Sequence, residues 1–338
     1  MTGSVEFDVN LPVTARPTVD QLAEVARRAE ALGYERTWLP ETWGRNAVAT
    51  LAVLAERTET IGIGASILNV YSRSPALVGQ TAATLQEVSD GRFRLGLGPS
   101  GPAVVENWHG VPFDRPLRRT REYVEITRRV LSGEPVEYDG DLFDLSGFRL
   151  RGDAPDEPPR IDATGMGPKA VELAGRFADG WHALMLTPDG LRERLGDLER
   201  GAELGGRRPE DVRTMLTVTA CAREDGDRAR ELLRQHLAFY LGGMGTFYRD
   251  ALARQGYDKR ATGIHDAWQS GDRRRAMDLI DDDLLRRLGV GGTPAEVREG
   301  IETFAGIDGV DAVAVSFPRE IDADDALETL DALDPLVG

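Results

Sequence analysis

The sequence predicts an α/β fold organised as a single (β/α)8 barrel spanning residues 1–338. Strand-length apolar runs alternate with amphipathic helical stretches along the whole chain, the pattern of a parallel sheet connected through helices. The stretch 59–101, ETIGIGASILNVYSRSPALVGQTAATLQEVSDGRFRLGLGPSG, spells strand, helix and strand in full, and such a pair needs a right-handed crossover. The remaining runs bring the count to eight strands and eight helices, with no linker between them. A chain of 338 residues lies within the range of one such barrel with insertions.

Residues 5–11 read as the first strand. Residues 18–32 form an amphipathic helix, with Leu22, Val25, Ala26, Ala29 and Leu32 on one face and Gly33 just past its end. A short second strand, 37–39, leads into the loop PETWGRN and a helix over 48–57. Residues 61–67 are apolar with glycine at two positions, as suits a strand buried on both faces. Ser74 and Pro75 open the third helix as N-cap and first residue, and Asp90-Gly91 stops it before a fourth strand at 93–97. A loop containing WHGVPFDRP follows, then a helix over 117–131. Between 134 and 158 the pattern changes to short alternating runs around Asp139-Gly140 and Ser146-Gly147, a β-hairpin excursion from which DAPDEPP returns the chain.

Residues 160–163 are the fifth strand, followed by TGMGPK and a helix over 170–178. The sixth strand is 180–184, the sixth helix 188–204, the seventh strand 215–221, and a long helix covers 227–241. Residues 242–289 are mostly helical and charged and fit no barrel unit; they read as a helical insertion before the last strand, a lid or a subunit contact. GGTPAEV opens the next helix with threonine as N-cap and proline at the first position. The eighth strand is 310–316, and a helix over 323–333 follows it.

The formal charge of −16 and pI ≈ 4.8 speak against nucleic acid and anionic membrane as partners, leaving a small-molecule substrate as the expected one. Of 41 basic residues only Lys169 and Lys259 are lysine. That balance points to a salt-rich cytoplasm or to a high-GC genome, which composition does not separate. A halophilic source is the expectation here, since salt at 1 M would screen surface repulsion within about 3 Å. Cys221 is the only cysteine and sits in an apolar run, so a buried structural thiol is expected, with no intrachain disulfide and no thiolate metal site. No signal peptide opens the chain and no apolar run approaches the ~20 residues of a membrane span; a soluble, cytoplasmic protein is expected.

In a barrel of this kind the active site lies at the C-terminal ends of the strands. Glu41 follows the second strand directly. A carboxylate there either hydrogen-bonds a ligand or acts as acid or base, or it simply caps the helix that starts near Asn46; Trp43 on the same loop would wall a pocket. Thr164-Gly165-Met166-Gly167-Pro168 lies between the fifth strand and its helix, where backbone amides attract phosphate and glycine admits close approach. Gly96, Gly98, Ser100 and Gly101, in GLGPSG, end the fourth strand and would line the same cleft. Arg115, Arg118, Arg119 and Arg121 open the following helix and either hold an anion or pair with surface carboxylates. His109, His182, His236 and His265 show no metal-ligand spacing, and there is no nucleophile elbow, P-loop or zinc motif. No metal is expected, and His109 is a candidate for the pocket wall.

SILNVYSRSP, a helix and SDGRFRLGLGPSG, in that order and spacing, resemble the luciferase-like superfamily of flavin and deazaflavin oxidoreductases. PETWGRN and SILNVYSRSP are similar to methylenetetrahydromethanopterin reductase and related enzymes that use coenzyme F420. The resemblance covers most of the chain, densest over 33–133 and 159–181. It implies an acidic or histidine group near the redox ring, here Glu41. It also implies a bulge at Ser66-Ile67-Leu68-Asn69 that backs the ring, often through a cis peptide, here Ser66-Ile67. The cofactor's phosphate is expected at residues 164–168. Several deazaflavin dehydrogenases carry an acidic proton donor where this chain has Gly101; either no proton is transferred, as in direct hydride transfer to an iminium-type carbon, or Glu41 or Glu106 supplies it.

The resemblance thus implies a hydride transfer between reduced coenzyme F420 and a small organic substrate, with a C1-carrying pterin or folate as the most concrete candidate and one-carbon metabolism as the setting. The alternative is an FMN-dependent monooxygenase. A barrel without a cofactor, serving as a subunit partner, is a third class, against which the glycine loops speak. Related enzymes lead to the expectation of a homodimer or homotetramer.

Overall fold

The computed structural model describes residues 5–152 and 154–337; residues 1–4, Asp153 within the 134–158 excursion, and Gly338 lie outside the described residues. In chain order the elements are β1 (Glu6–Asn10), α1 (Val19–Ala31), β2 (Arg36–Leu39), α2 (Ala47–Arg57), β3 (Gly62–Asn69), α3 (Pro75–Val88), β4 (Phe93–Gly98), α4 (Pro102–Asn107) and α5 (Pro116–Leu131). There follow β5 (Val136–Asp139), β6 (Asp144–Phe148), β7 (Arg160–Thr164), α6 (Pro168–Phe177), β8 (Gly180–Leu184), α7 (Pro188–Leu204), β9 (Arg213–Ala222) and α8 (Gly226–Gly243). The rest are α9 (Phe247–Leu252), α10 (Asp258–Gln269), α11 (Arg273–Asp278), α12 (Asp282–Leu288), β10 (Gly289–Gly292), α13 (Pro294–Ala305), β11 (Ala312–Ser316) and α14 (Ala323–Val337). The strands β1, β2, β3, β4, β7, β8, β9 and β11, with helices between them, follow the element order of the predicted (β/α)8 barrel.

The first and third helices begin where the sequence places them. The Thr18 side chain accepts from the Gln21 amide, and Ser74 accepts from Leu77 with Pro75 behind it. Each of these caps satisfies an amide that the helix itself leaves free.

Contacts group the chain into two units, 36–182 with 196–213, and 1–35 with 183–195 and 214–338. In the first, β2, β3, β4, β7 and β8 are parallel neighbours in that order. Ile63, Leu68, Leu95, Leu97, Ile161 and Trp181 are buried on these strands. The β3–β4 register slips between Ala65 and Leu68, so Ser66 and Ile67 stand out of the ladder. β5 and β6 pair antiparallel, and the Glu122 carboxylate of α5 accepts three backbone amides of their turn, from Asp141, Leu142 and Phe143.

In the second unit the strand order is β10-β9-β11-β1. Helices α8 to α12 surround their own apolar cluster, with Leu237, Leu241, Leu252, Ile264 and Leu284 at its centre, which is what allows residues 242–289 to stand apart from a simple barrel repeat. Cys221 is buried, and burial pushes its thiol up to about 11.

Two sequence expectations are corrected. The loop after the fourth strand contains helix α4, held by buried Val104 and Val105. The glycine-rich GVGG before α13 is a strand, β10, because pairing to β9 overrides its poor strand propensity. The described residues contain fourteen α-helices, the count of eight covering the barrel alone: α4, α13 and, within the segment read as mostly helical, α9 to α12 come in addition. Among the described residues no helix is long and apolar enough to cross a membrane.

Candidate active site

Glu41 leaves the end of β2 with its amide donating to the Ile67 carbonyl at 3.2 Å. Its carboxylate accepts from the Asn69 amide (3.1 Å), from Ser72 Oγ (2.9 Å) and from Arg73 (2.5 Å). The ion pair is largely withdrawn from water, with side-chain exposures of 8% for Glu41 and 14% for Arg73. Tyr123 of α5 donates its hydroxyl to the Arg73 carbonyl, fixing the arginine's backbone. Glu41 is not the cap of α2: Asn46 is, its side chain accepting from the Ala49 amide.

The peptide between Ser66 and Ile67 is cis. Behind it, two glycines of β4 make room. A Cβ on Gly96 would lie 2.3 Å from the Ala65 carbonyl and 2.9 Å from the His182 ring, and one on Gly98 would lie 2.4 Å from Thr164 and 3.2 Å from Ile67. Thr164 in turn donates to the His182 carbonyl (3.0 Å), and Trp181 donates its indole N–H to Gly165 (2.9 Å). The segments around positions 41, 66, 98 and 165 thus meet at the ends of adjacent strands. Leu68 and Asn69 are buried beside them.

Gly167 is the N-cap of α6, with Pro168 at the first position and no side-chain hydrogen bond capping the helix end. Ser100 holds a positive φ of 59°, and Gly101, the N-cap of α4, has nothing within 4 Å of where a Cβ would stand. Both helix starts leave their first amides uncapped by a side chain, which suits an anionic or polar group; Met166, immediately before Gly167, is partly exposed. A cleft of ≈ 260 Å³ opens beside Glu41, lined also by Thr42, Ser72, Arg73, Trp108 and His109. Trp43 is 50% exposed and Trp108 63% exposed. Glu106 is exposed and accepts from the Phe113 amide at 3.4 Å.

The arginines at the start of α5 divide. Arg115 pairs with Asp114, Arg118 with Asp141 and Arg121 with Glu125, whereas Arg119 lies over the Tyr71 ring at 4.6 Å.

A buried polar chain passed unnoticed in the sequence. Asp162 of β7 accepts from Arg94 Nε (2.6 Å) and from a terminal nitrogen of the same guanidinium (2.7 Å). Its carboxylate lies 2.9 Å from His182 Nε2, and His182 Nδ1 lies 3.0 Å from Ser66 Oγ. Burial pushes the Asp162 carboxyl up, but the Arg94 guanidinium and the His182 hydrogen bond outweigh it and hold the group well below the usual carboxylate range. The signal available was a charged or polar residue flanked by apolar ones in each of three strands, FRL, IDA and WHA, which burial tolerates only with partners. Among the described residues no His/Cys/Asp/Glu group is arranged to hold a metal.

Residues 4–310 match the model of the luciferase-like monooxygenase family. A Mycobacterium tuberculosis protein named as a candidate coenzyme F420-dependent oxidoreductase is 33% identical, over 82% of this chain and 85% of its own. The 5,10-methylenetetrahydromethanopterin reductase of Archaeoglobus fulgidus is 29% identical, over 84% of this chain and 86% of its own. The solved structure of the coenzyme F420-dependent tetrahydromethanopterin reductase from Methanopyrus kandleri superposes with a TM-score of 0.82 at 25% identity, covering 99% of this chain and 100% of that one, which gives the fold class as the (β/α)8 barrel. The chain belongs to the luciferase-like monooxygenase family, a family of oxidoreductase enzymes, and its relatives there include coenzyme F420-dependent reductases.

Proposed function

We propose that the protein is a coenzyme F420-dependent oxidoreductase that moves a hydride between the reduced deazaflavin and a small organic substrate of the iminium type, such as a methylene-carrying tetrahydropterin. The observation that carries the reading is the meeting of Glu41, the cis Ser66-Ile67 peptide, Gly98 and Thr164-Gly165 at one set of strand ends. The relatives' names support the choice of deazaflavin over FMN.

The residues present fit such a cofactor. The uncapped starts of α4 and α6, with open space at Gly101 and no side chain at Gly167, would take its phosphate and polar groups, and the Ser66-Ile67 bulge would back its ring. When bound, the cofactor supplies the hydride. The chain's task is to orient two reactants and exclude water. Glu41 commits its carboxylate to three donors, which makes it an acceptor and a wall of the cleft; it is poorly arranged to give a proton. Glu106 is turned to solvent and the Phe113 amide. Hydride transfer to an iminium-type carbon needs no proton donor, and that substrate class suits this set of residues.

The test is a fluorescence titration with oxidised and reduced coenzyme F420 and with FMN. Saturable binding of the deazaflavin, tighter than of FMN, is expected. Tight FMN binding with no deazaflavin binding would turn the reading to a monooxygenase, and binding of neither would overturn both.

A further inference from the structure

We propose that the chain Arg94–Asp162–His182 fixes the Ser66 hydroxyl as a hydrogen-bond acceptor toward the bound cofactor, making the three residues positioning groups that act through Ser66. The proposal rests on the coenzyme F420 reading for the identity of the ligand, and on distances alone for the polarity of the chain.

Asp162 is 1% exposed and takes both arms of the Arg94 guanidinium. A carboxylate so held has no proton to give, so the 2.9 Å contact to His182 requires the proton on Nε2. In the neutral ring Nδ1 is then an acceptor, and its partner at 3.0 Å is Ser66 Oγ. The single proton of Ser66 is used in that contact. What the hydroxyl still offers is lone pairs, so a ligand atom that meets it favourably is an N–H or O–H, while a carbonyl or phosphate oxygen is disfavoured.

The ring of His182 is held in place: Trp38 of β2 packs edge-on at 4.6 Å, and Gly96 of β4 lets it approach where any Cβ would strike it. The charged groups bonded into the chain are Asp162 on β7 and Arg94 on β4; Ser66 on β3 and Trp38 on β2 are neutral. His182 and Asp162 are buried, whereas Ser66 is partly open, beside the cis peptide that would back the ring.

Long-range proton–nitrogen NMR on the free protein, labelled at histidine and assigned with His182→Asn, reads the tautomer without any cofactor. The Nε2–H form is expected in the native protein and in Ser66→Ala, whose Arg94–Asp162–His182 contacts are untouched. An Nδ1–H form in either overturns the proposal. Asp162→Asn, if it folds, turns an amide N–H toward Nε2 and should flip the tautomer, as loss of such a carboxylate does in hydrolase triads; retention of Nε2–H in the folded variant counts against the chain's control. Titration with reduced coenzyme F420 should show Ser66→Ala binding about tenfold more weakly, the loss of one hydrogen bond, with Ser66→Thr recovering most of it. Equal affinity in native and Ser66→Ala proteins overturns the role toward the cofactor. Failure of the native protein to bind coenzyme F420 overturns the functional reading and the ligand named here, while the tautomer result still decides the polarity of the chain.

Discussion

The pair formed by Glu41 and Arg73 separates two roles that a single substitution would confuse. Both side chains are nearly removed from water, and Glu41 also receives the Asn69 amide and Ser72 Oγ. Breaking a buried pair from one side leaves the other charge uncompensated, which costs roughly 3–5 kcal/mol when burial is complete. With the small exposure that remains here, Glu41→Gln and Arg73→Met should each cost about 2–3 kcal/mol, scaled down from that range. The double variant leaves no orphaned charge, so its cost should fall short of the sum by about 2 kcal/mol. Urea unfolding of the four proteins at pH 7 measures this cycle. Additivity within about 0.5 kcal/mol, the behaviour of independent sites, would refute the reading of Glu41 and Arg73 as one coupled buried pair. The same four proteins titrated with coenzyme F420 then test function: parallel weakening in both single variants is expected if Glu41 shapes the cleft, whereas loss in Glu41→Gln alone would make it a direct ligand.

The glycines of β4 and its exit loop give a matched pair: Gly96→Ala should destabilise by about 1–3 kcal/mol, because its Cβ meets a carbonyl and the His182 ring, while Gly101→Ala, with open space around it, should stay within about 0.5 kcal/mol; urea midpoints check both. In the helical segment of the other unit, His236 is buried against Tyr240 with Nδ1 unpartnered, and burial, helped by Arg319, lowers it from 6.5 to about 3. The unfolded chain therefore binds a proton that the folded one refuses between these two values, so stability present above pH 6.5 is lost as pH falls through that window, by about 3 kcal/mol from pH 7 to 4. His236→Phe should remove that component, and an unchanged slope of stability against pH would show that His236 is not its source.

What the sequence made legible is mostly what is local. Ser74 and Pro75 announce their helix because a cap acts within three residues. Helix α4 was missed because Gly101-Pro102 brings no capping side chain and adjacent valines give no helical period. The cis Ser66-Ile67 bond was legible only through resemblance, since nothing in a Ser-Ile pair disfavours the trans form. The partners at the site are distant: Glu41 and Arg73 are 32 positions apart, Arg94 and Asp162 are 68, and Ser66 and His182 are 116. Yet the polar chain has a simple geometric origin once the sheet order is known. Arg94 lies opposite Arg160, so Asp162 is its diagonal neighbour two residues on; Asp162 lies opposite Gly180, so His182 is again two residues on. An offset of two keeps side chains on one face and within reach of long groups. Arg94, Asp162 and His182 therefore climb across β4, β7 and β8 on a single face, each step set by the stagger between parallel strands. A polar residue flanked by apolar ones in each of three strands announces that each needs a partner; the register between those strands, which no local pattern encodes, decides that they partner one another.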